Sequence, residues 1–175
     1  MVEAFTVYYK GLRWRGGYRL TDFGLKFLIG DYMKNQIEIK FKSLPENEAF
    51  ARTCVSAFCL QLNPTLDEIG DIKTAVSEAV TNCVVHAYPN KVGEITMLLS
   101  REQDKIHISI KDSGVGIENI EEALTPFYTT KPDEERSGMG FTVMDSFMDS
   151  LVVKNNGTKG LIVEMTKRIE NKQAV

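Results

Sequence analysis

The chain has 175 residues, 43% of them apolar and 26% charged, and a net charge of −3. That length buries one sizeable core and leaves little room for a second. No apolar run is long enough to cross a bilayer, no apolar stretch ahead of a small-residue cleavage site marks a secretory signal, and the acidic balance gives no attraction to a phosphate backbone. The expectation is a cytoplasmic protein with one main domain and protein or small-molecule partners, without direct nucleic-acid or membrane contact.

Residues 1–32 carry half of the chain's aromatic residues and a basic, glycine-rich stretch from Lys10 to Arg19. They read as an extraneous, leader-like extension. The run Gly30-Asp31-Tyr32-Met33 can be encoded by a purine-rich ribosome-binding stretch followed by a start codon, and a regular pattern begins directly after Met33. The domain is expected over 33–170, with 171–175 as a tail. Mass spectrometry of the native protein reads its first residue, and peptides spanning Tyr32 to Lys34 would rule the leader out.

From Gln36 to Lys42, Ile37, Ile39 and Phe41 alternate with polar residues, the pattern of a half-buried strand. Ser43-Leu44-Pro45-Glu46 has capping-box spacing, which predicts a helix with Phe50, Val55, Phe58 and Leu62 on its core face, stopped by Asn63-Pro64. Thr65-Leu66-Asp67-Glu68 repeats the box and predicts a longer helix to about His86, with Pro89 beyond it.

Glu94–Arg101 and Lys105–Asp112 read as a hairpin about Glu102-Gln103-Asp104. The stretch from Ser113 to Gly140 reads as a long functional loop or lid. A short helix is expected over Gly140–Ser150, and strands over Leu151–Lys154 and Leu161–Lys167 flank the Asn155-Asn156-Gly157 turn. The fold class is α+β, a two-layer sandwich with helices on one face of a mixed, mostly antiparallel sheet. Cys54, Cys59 and Cys83 form no CxxC pair and read as small buried residues.

Three pieces carry chemistry. Glu78, Asn82 and His86 are spaced four apart and share a helix face; alone, such a stripe is a solvated face. Asp112-Ser113-Gly114-Val115-Gly116 follows a strand, and its glycines let backbone approach a flat ligand whose amino group the carboxylate accepts; alone, it is a tight turn. Arg136-Ser137-Gly138-Met139-Gly140-Phe141 opens a helix, where backbone N–H groups and an arginine favour phosphate; alone, it is a hinge, and it lacks the lysine-serine ending of a Walker motif.

In this order the three resemble the ATP-binding fold shared by type II topoisomerases, ninety-kilodalton chaperones, histidine kinases and mismatch-repair proteins (GHKL). That resemblance implies ATP/ADP as ligand, with Asn82 on Mg²⁺, Asp112 reading adenine beside Gly114 and Gly116, and Ser137, Gly138, Met139 and Gly140 around the phosphates. Ser77-Glu78-Ala79-Val80-Thr81-Asn82, Phe127-Tyr128-Thr129-Thr130-Lys131-Pro132 and Glu135 to Phe141 further resemble the sporulation anti-sigma F factors, over about Met33 to Arg168.

Members of that family bind a sporulation sigma factor as homodimers and phosphorylate a serine of an anti-anti-sigma protein. By that resemblance Glu78 is the general base, Arg136 a γ-phosphate contact, Thr129 and Thr130 lid residues and Arg52 a partner-surface residue. One departure is Leu161, where the family commonly has threonine after glycine. The alternatives are a stress-response anti-sigma kinase with similar chemistry, and a nucleotide-gated module that sequesters a sigma factor without transferring phosphate. A histidine kinase is disfavoured, because the only histidines are His86 in the site helix and His107 in a strand.

Overall fold

A computed structural model of the chain describes residues 35–125, 138–157 and 159–170, and the backbone of 5–9 and 12–16. The chain divides into two compact units, 1–33 and 34–175. In the first, β1 (Phe5–Tyr9) and β2 (Leu12–Gly16) pair as an antiparallel hairpin.

In the second unit, β3 (Asn35–Lys42) is an edge strand whose Ile37, Ile39 and Phe41 stand opposite Leu99, Met97 and Ile95 of β4 (Glu94–Glu102). Between them lie α1 (Asn47–Cys59) and α2 (Leu66–Asn82). The polar turn at Gln103, with φ 54°, leads into β5 (Lys105–Asp112). A single-turn helix α3 (Ile120–Ala123), then α4 (Gly140–Phe147), β6 (Ser150–Asn155) and β7 (Leu161–Arg168) complete it.

The strand order is β3-β4-β5-β7-β6, and every neighbouring pair is antiparallel, so the sheet is antiparallel throughout rather than mixed. Alternate residues of its central strands, Met97, Leu99, Ile106 and Ile108 among them, are fully buried with Ile72, Val76 and Val80 of α2 and Met144 of α4. Thr96, Leu98 and Ser100, on the other face, stay partly exposed. This is the expected two-layer α+β sandwich, driven by burial of one face of each element.

Two local expectations fail. Ser43 does not cap α1: Glu46 occupies the N-cap position without a side-chain bond, and the Ser43 hydroxyl instead accepts the N–H of Gly93 at 2.8 Å. Phe50 is 46% exposed, standing edge-on to Phe41 at 6.1 Å, while Ala51, Val55, Phe58 and Cys59 fill the core. By contrast Thr65 caps α2 as predicted, accepting from the Glu68 N–H at 3.2 Å while Glu68 accepts the Thr65 N–H at 2.7 Å. Among the described residues no helix is long and apolar enough to cross a membrane. All three cysteines are free; Cys59 and Cys83 are buried, and burial pushes the Cys59 thiol up to about 12.

Candidate active site

At Cys83 the site helix changes its winding, from the α-helix ending at Asn82 to a π turn over Cys83–Ala87. Such turns recur at functional sites because they re-aim side chains. Glu78, Asn82 and His86 all line one cavity of about 680 Å³, a size within the ~300–1,000 Å³ usual for small-molecule sites.

Asp112, the last residue of β5, is 4% exposed and also lines the cavity. Its Oδ1 accepts the Gly114 N–H at 2.8 Å, the Leu161 N–H donates to the same carboxylate, and the Cys83 Sγ–H donates to Oδ2 across 3.6 Å. Burial pushes the Asp112 carboxyl above the ordinary range, and these three donors oppose the rise. Burial, and then the Asp112 carboxylate beside it, push the Cys83 thiol up as well, so it remains a protonated donor.

The loop after Asp112 is fixed from several sides. The Val115 N–H donates to the Ala87 carbonyl at 2.9 Å, and a Cβ on Gly114 would run into that carbonyl, so only glycine fits. The Tyr88 hydroxyl accepts the Ser113 N–H at 2.9 Å and donates to the Glu94 carbonyl at 2.6 Å. Asn156 Nδ2 donates to the Asp112 carbonyl at 2.8 Å.

The second glycine box closes the cavity from the other side. Gly138, Met139 and Gly140 lie in its wall at the start of α4, and a Cβ on Gly140 would stand 3.1 Å from Glu78 Oε2 and 3.3 Å from Asn82 Nδ2. The described lining is acidic, with Glu78, Asp112, Glu118 and Glu122 and no lysine or arginine. Among the described residues no group of three or more His, Cys, Asp or Glu is placed to hold a metal ion.

The structure therefore brings Glu78, Asn82, Asp112, Gly116, Gly138, Met139 and Gly140 to one cavity, with Gly114 packed beneath it. Thr129, Thr130, Arg136 and Ser137 lie outside the described residues. Arg52 does not line the cavity; it sits partly exposed on α1, paired with Glu48 at 3.1 Å. His107, placed in a strand as expected, bonds Thr166 across the sheet at 3.0 Å.

Sequence reasoning missed Cys83 as a site residue, and it flagged Leu161 only as a departure from the family pattern, without its backbone bond to Asp112. Cys83 reads from the sequence as a small buried residue, and it reaches the cavity wall at the start of the π turn, which no sequence period signals.

Residues 41–167 match the histidine kinase-like ATPase domain family. The chain is 56% identical over 135 residues to the anti-sigma F factor of Caldanaerobacter subterraneus subsp. tengcongensis, covering 77% of this chain and 94% of the relative. The chain belongs to the anti-sigma F factor family. The anti-sigma F factor of Bacillus licheniformis is 46% identical over 144 residues, covering 82% of this chain and 99% of that one.

Solved structures agree on the fold. The RsbU and RsbW domains of a Mycobacterium tuberculosis protein superpose with a TM-score of 0.56 at 16% identity, over 77% of this chain and 32% of that one. The catalytic domain of the histidine kinase ThkA superposes at 0.50 and 18% identity, over 76% of this chain and 96% of that one. Membership of this family makes the chain a nucleotide-binding protein with kinase-type activity.

Proposed function

We propose that the chain is an anti-sigma factor that holds a sporulation sigma factor of the sigma F type, and an ATP-dependent protein serine kinase that phosphorylates and inactivates an anti-anti-sigma protein. The observation that carries the kinase half is the meeting of Glu78, Asn82 and Gly140 in the wall of the cavity that also holds Asp112. The anti-sigma half rests on relatives, at 46% identity and above, that are anti-sigma F factors. The same relatives favour a sporulation partner over a stress-response one.

In the proposed chemistry, Asp112 accepts the exocyclic amino group of adenine, and Gly114 and Gly116 let backbone lie close to the base. The N–H groups at the start of α4, around Gly138, Met139 and Gly140, face the phosphates. ATP supplies the phosphoryl group and Mg²⁺ neutralises its charge. A hard cation suits this wall: the described lining is acidic and a triphosphate is polyanionic, so like charges meet unless a cation intervenes. Asn82 offers an amide oxygen, and magnesium ordinarily completes its shell from phosphates and water.

Glu78 removes the proton of the incoming serine hydroxyl as its oxygen bonds the γ-phosphorus and the bond to the β-phosphate oxygen breaks, releasing ADP. Thr129, Thr130, Arg136 and Ser137 belong to the lid on this reading, with Arg136 on the γ-phosphate, and Arg52 to a surface on which sigma factor and antagonist compete. The working unit is a homodimer in the cytoplasm.

The test incubates the purified chain with γ-labelled ATP, Mg²⁺ and a candidate anti-anti-sigma protein, with Glu78→Ala as control. Label on an antagonist serine, absent with the variant, is the expected result. Nucleotide binding with no transfer would replace the kinase by a nucleotide-gated sequestering module.

A further inference from the structure

Cys83 is the one residue that joins the site helix to the Asp112 carboxylate through a side-chain hydrogen bond among the described residues. Three observations give it meaning. It is 4% exposed yet lines the cavity, so it stands between core and ligand space. Its Sγ–H reaches Oδ2, while the Gly114 N–H takes Oδ1 and the Leu161 N–H donates to the same carboxylate, so Cys83 is the side-chain member of the three donors that fix the carboxylate plane. The π turn that begins at Cys83 is anchored at its far end by the Val115 N–H on the Ala87 carbonyl, so the same loop is gripped at both ends of one turn.

We propose that Cys83 is a positioning residue for base selection, holding the Asp112 carboxylate at the angle that accepts a purine 6-amino group. The proposal rests on the adenine reading given above. A thiol suits the task because it is a weak donor: it orients Oδ2 without saturating the oxygen, and lone-pair capacity remains for the ligand. A buried carboxylate that loses an orienting donor can rotate or take up a proton, and either change removes the acceptor that distinguishes an amino-bearing base. Cys83 touches Asp112 and acts through it, so chemistry at the γ-phosphate does not depend on it.

The experiment measures the affinity of the full chain for ATP and for purine riboside triphosphate, which lacks the 6-amino group, in the wild type and in Cys83→Val, Cys83→Ala and Cys83→Ser. Valine keeps the bulk without the donor, alanine removes both, and serine restores a donor. Thermal unfolding of each variant identifies the folded ones.

The wild type is expected to prefer ATP. In Cys83→Val and Cys83→Ala that preference falls about threefold to tenfold, the scale of one net hydrogen bond, with affinity for the purine analogue nearly unchanged; Cys83→Ser keeps the preference. Equal losses for both ligands, or an unchanged ratio, in a wild type that does prefer ATP overturn the role of Cys83 alone. A wild type without preference overturns the Asp112 reading and this proposal with it.

Discussion

Gly140 stands against Glu78, its would-be Cβ position only 3.1 Å from the Glu78 Oε2. The glycine box and the carboxylate are 62 residues apart in the chain, and they meet because α4 packs across α2 around the buried Met144. A methyl at Gly140 must displace Glu78 or Asn82 by a few tenths of an ångström. Yet alanine favours a helix by up to about 1 kcal/mol over glycine. Gly140→Ala is therefore expected to lower phosphate transfer tenfold or more, in the way small misplacements do, while thermal unfolding stays level or rises. A lowered melting temperature with normal turnover would contradict this.

Glu78 itself separates binding from transfer. It lies one helical turn from Asn82 and opposite the start of α4, whereas Asp112 holds the other part of the wall. Glu78→Gln keeps the shape and removes the base. Turnover should fall by about 10²–10⁴-fold, the usual share of general-base catalysis, with ATP affinity changed by no more than a few fold. Loss of ATP binding in this variant would count against the assignment of Glu78.

The layout of this site was largely legible because its parts are local signals: a four-residue polar spacing on one helix, a carboxylate with glycines at a strand end, and glycines opening a second helix. What stayed hidden depends on partners far along the chain. Ser43 looked like a helix cap and instead pairs with Gly93, 50 residues on, to close the end of the β3–β4 pair. Phe50 has the spacing of a core residue, but the α1 face that packs inward is turned toward Ala51 and Val55. The π turn has no sequence period of its own, so the aim of Cys83 at Asp112 could not be foreseen. The small helix α3 could have been: Asn119 accepts the Glu122 N–H at 3.2 Å, an Asn-x-x-Glu cap that was readable inside the loop.

The cap of α2 gives a prediction about stability with a pH sign. The Glu68 Oε2 accepts from both the N–H and the hydroxyl of Thr65, and Oε1 accepts the Glu170 N–H at 2.7 Å, tying the start of α2 to the residue pair after β7. Burial alone would raise the Glu68 carboxyl, but these donors and Lys167 hold it below its ordinary range. A carboxyl depressed in the folded state adds stability above its unfolded pKa and loses it as pH falls through the folded value. Thr65→Ala should cost about 1 kcal/mol near neutrality. The melting-temperature gap between the wild type and Glu68→Gln should close in acid; a gap that persists or widens there would refute the charge-assisted cap.

Asp112 has the opposite sign. Its carboxyl is raised by burial, so relative to a neutral residue its contribution to stability is fully present below the unfolded value, about 3.9, and is lost as pH rises through the folded one. Asp112→Asn should therefore gain on the wild type in melting temperature as pH rises from about 4 toward 7, because it removes a buried charge. Function should move the other way. An amide offers a donor where the purine amino group needs an acceptor, and a hydrogen bond to a charged group is worth about 1.5–3 kcal/mol, so ATP affinity should drop about ten- to a hundredfold. Wild-type affinity should itself weaken as acid protonates Asp112. Calorimetric titration with ATP alongside thermal unfolding checks both trends. An Asp112→Asn variant that binds ATP normally would remove Asp112 from the base site, and one that unfolds sooner at every pH would make it a structural residue.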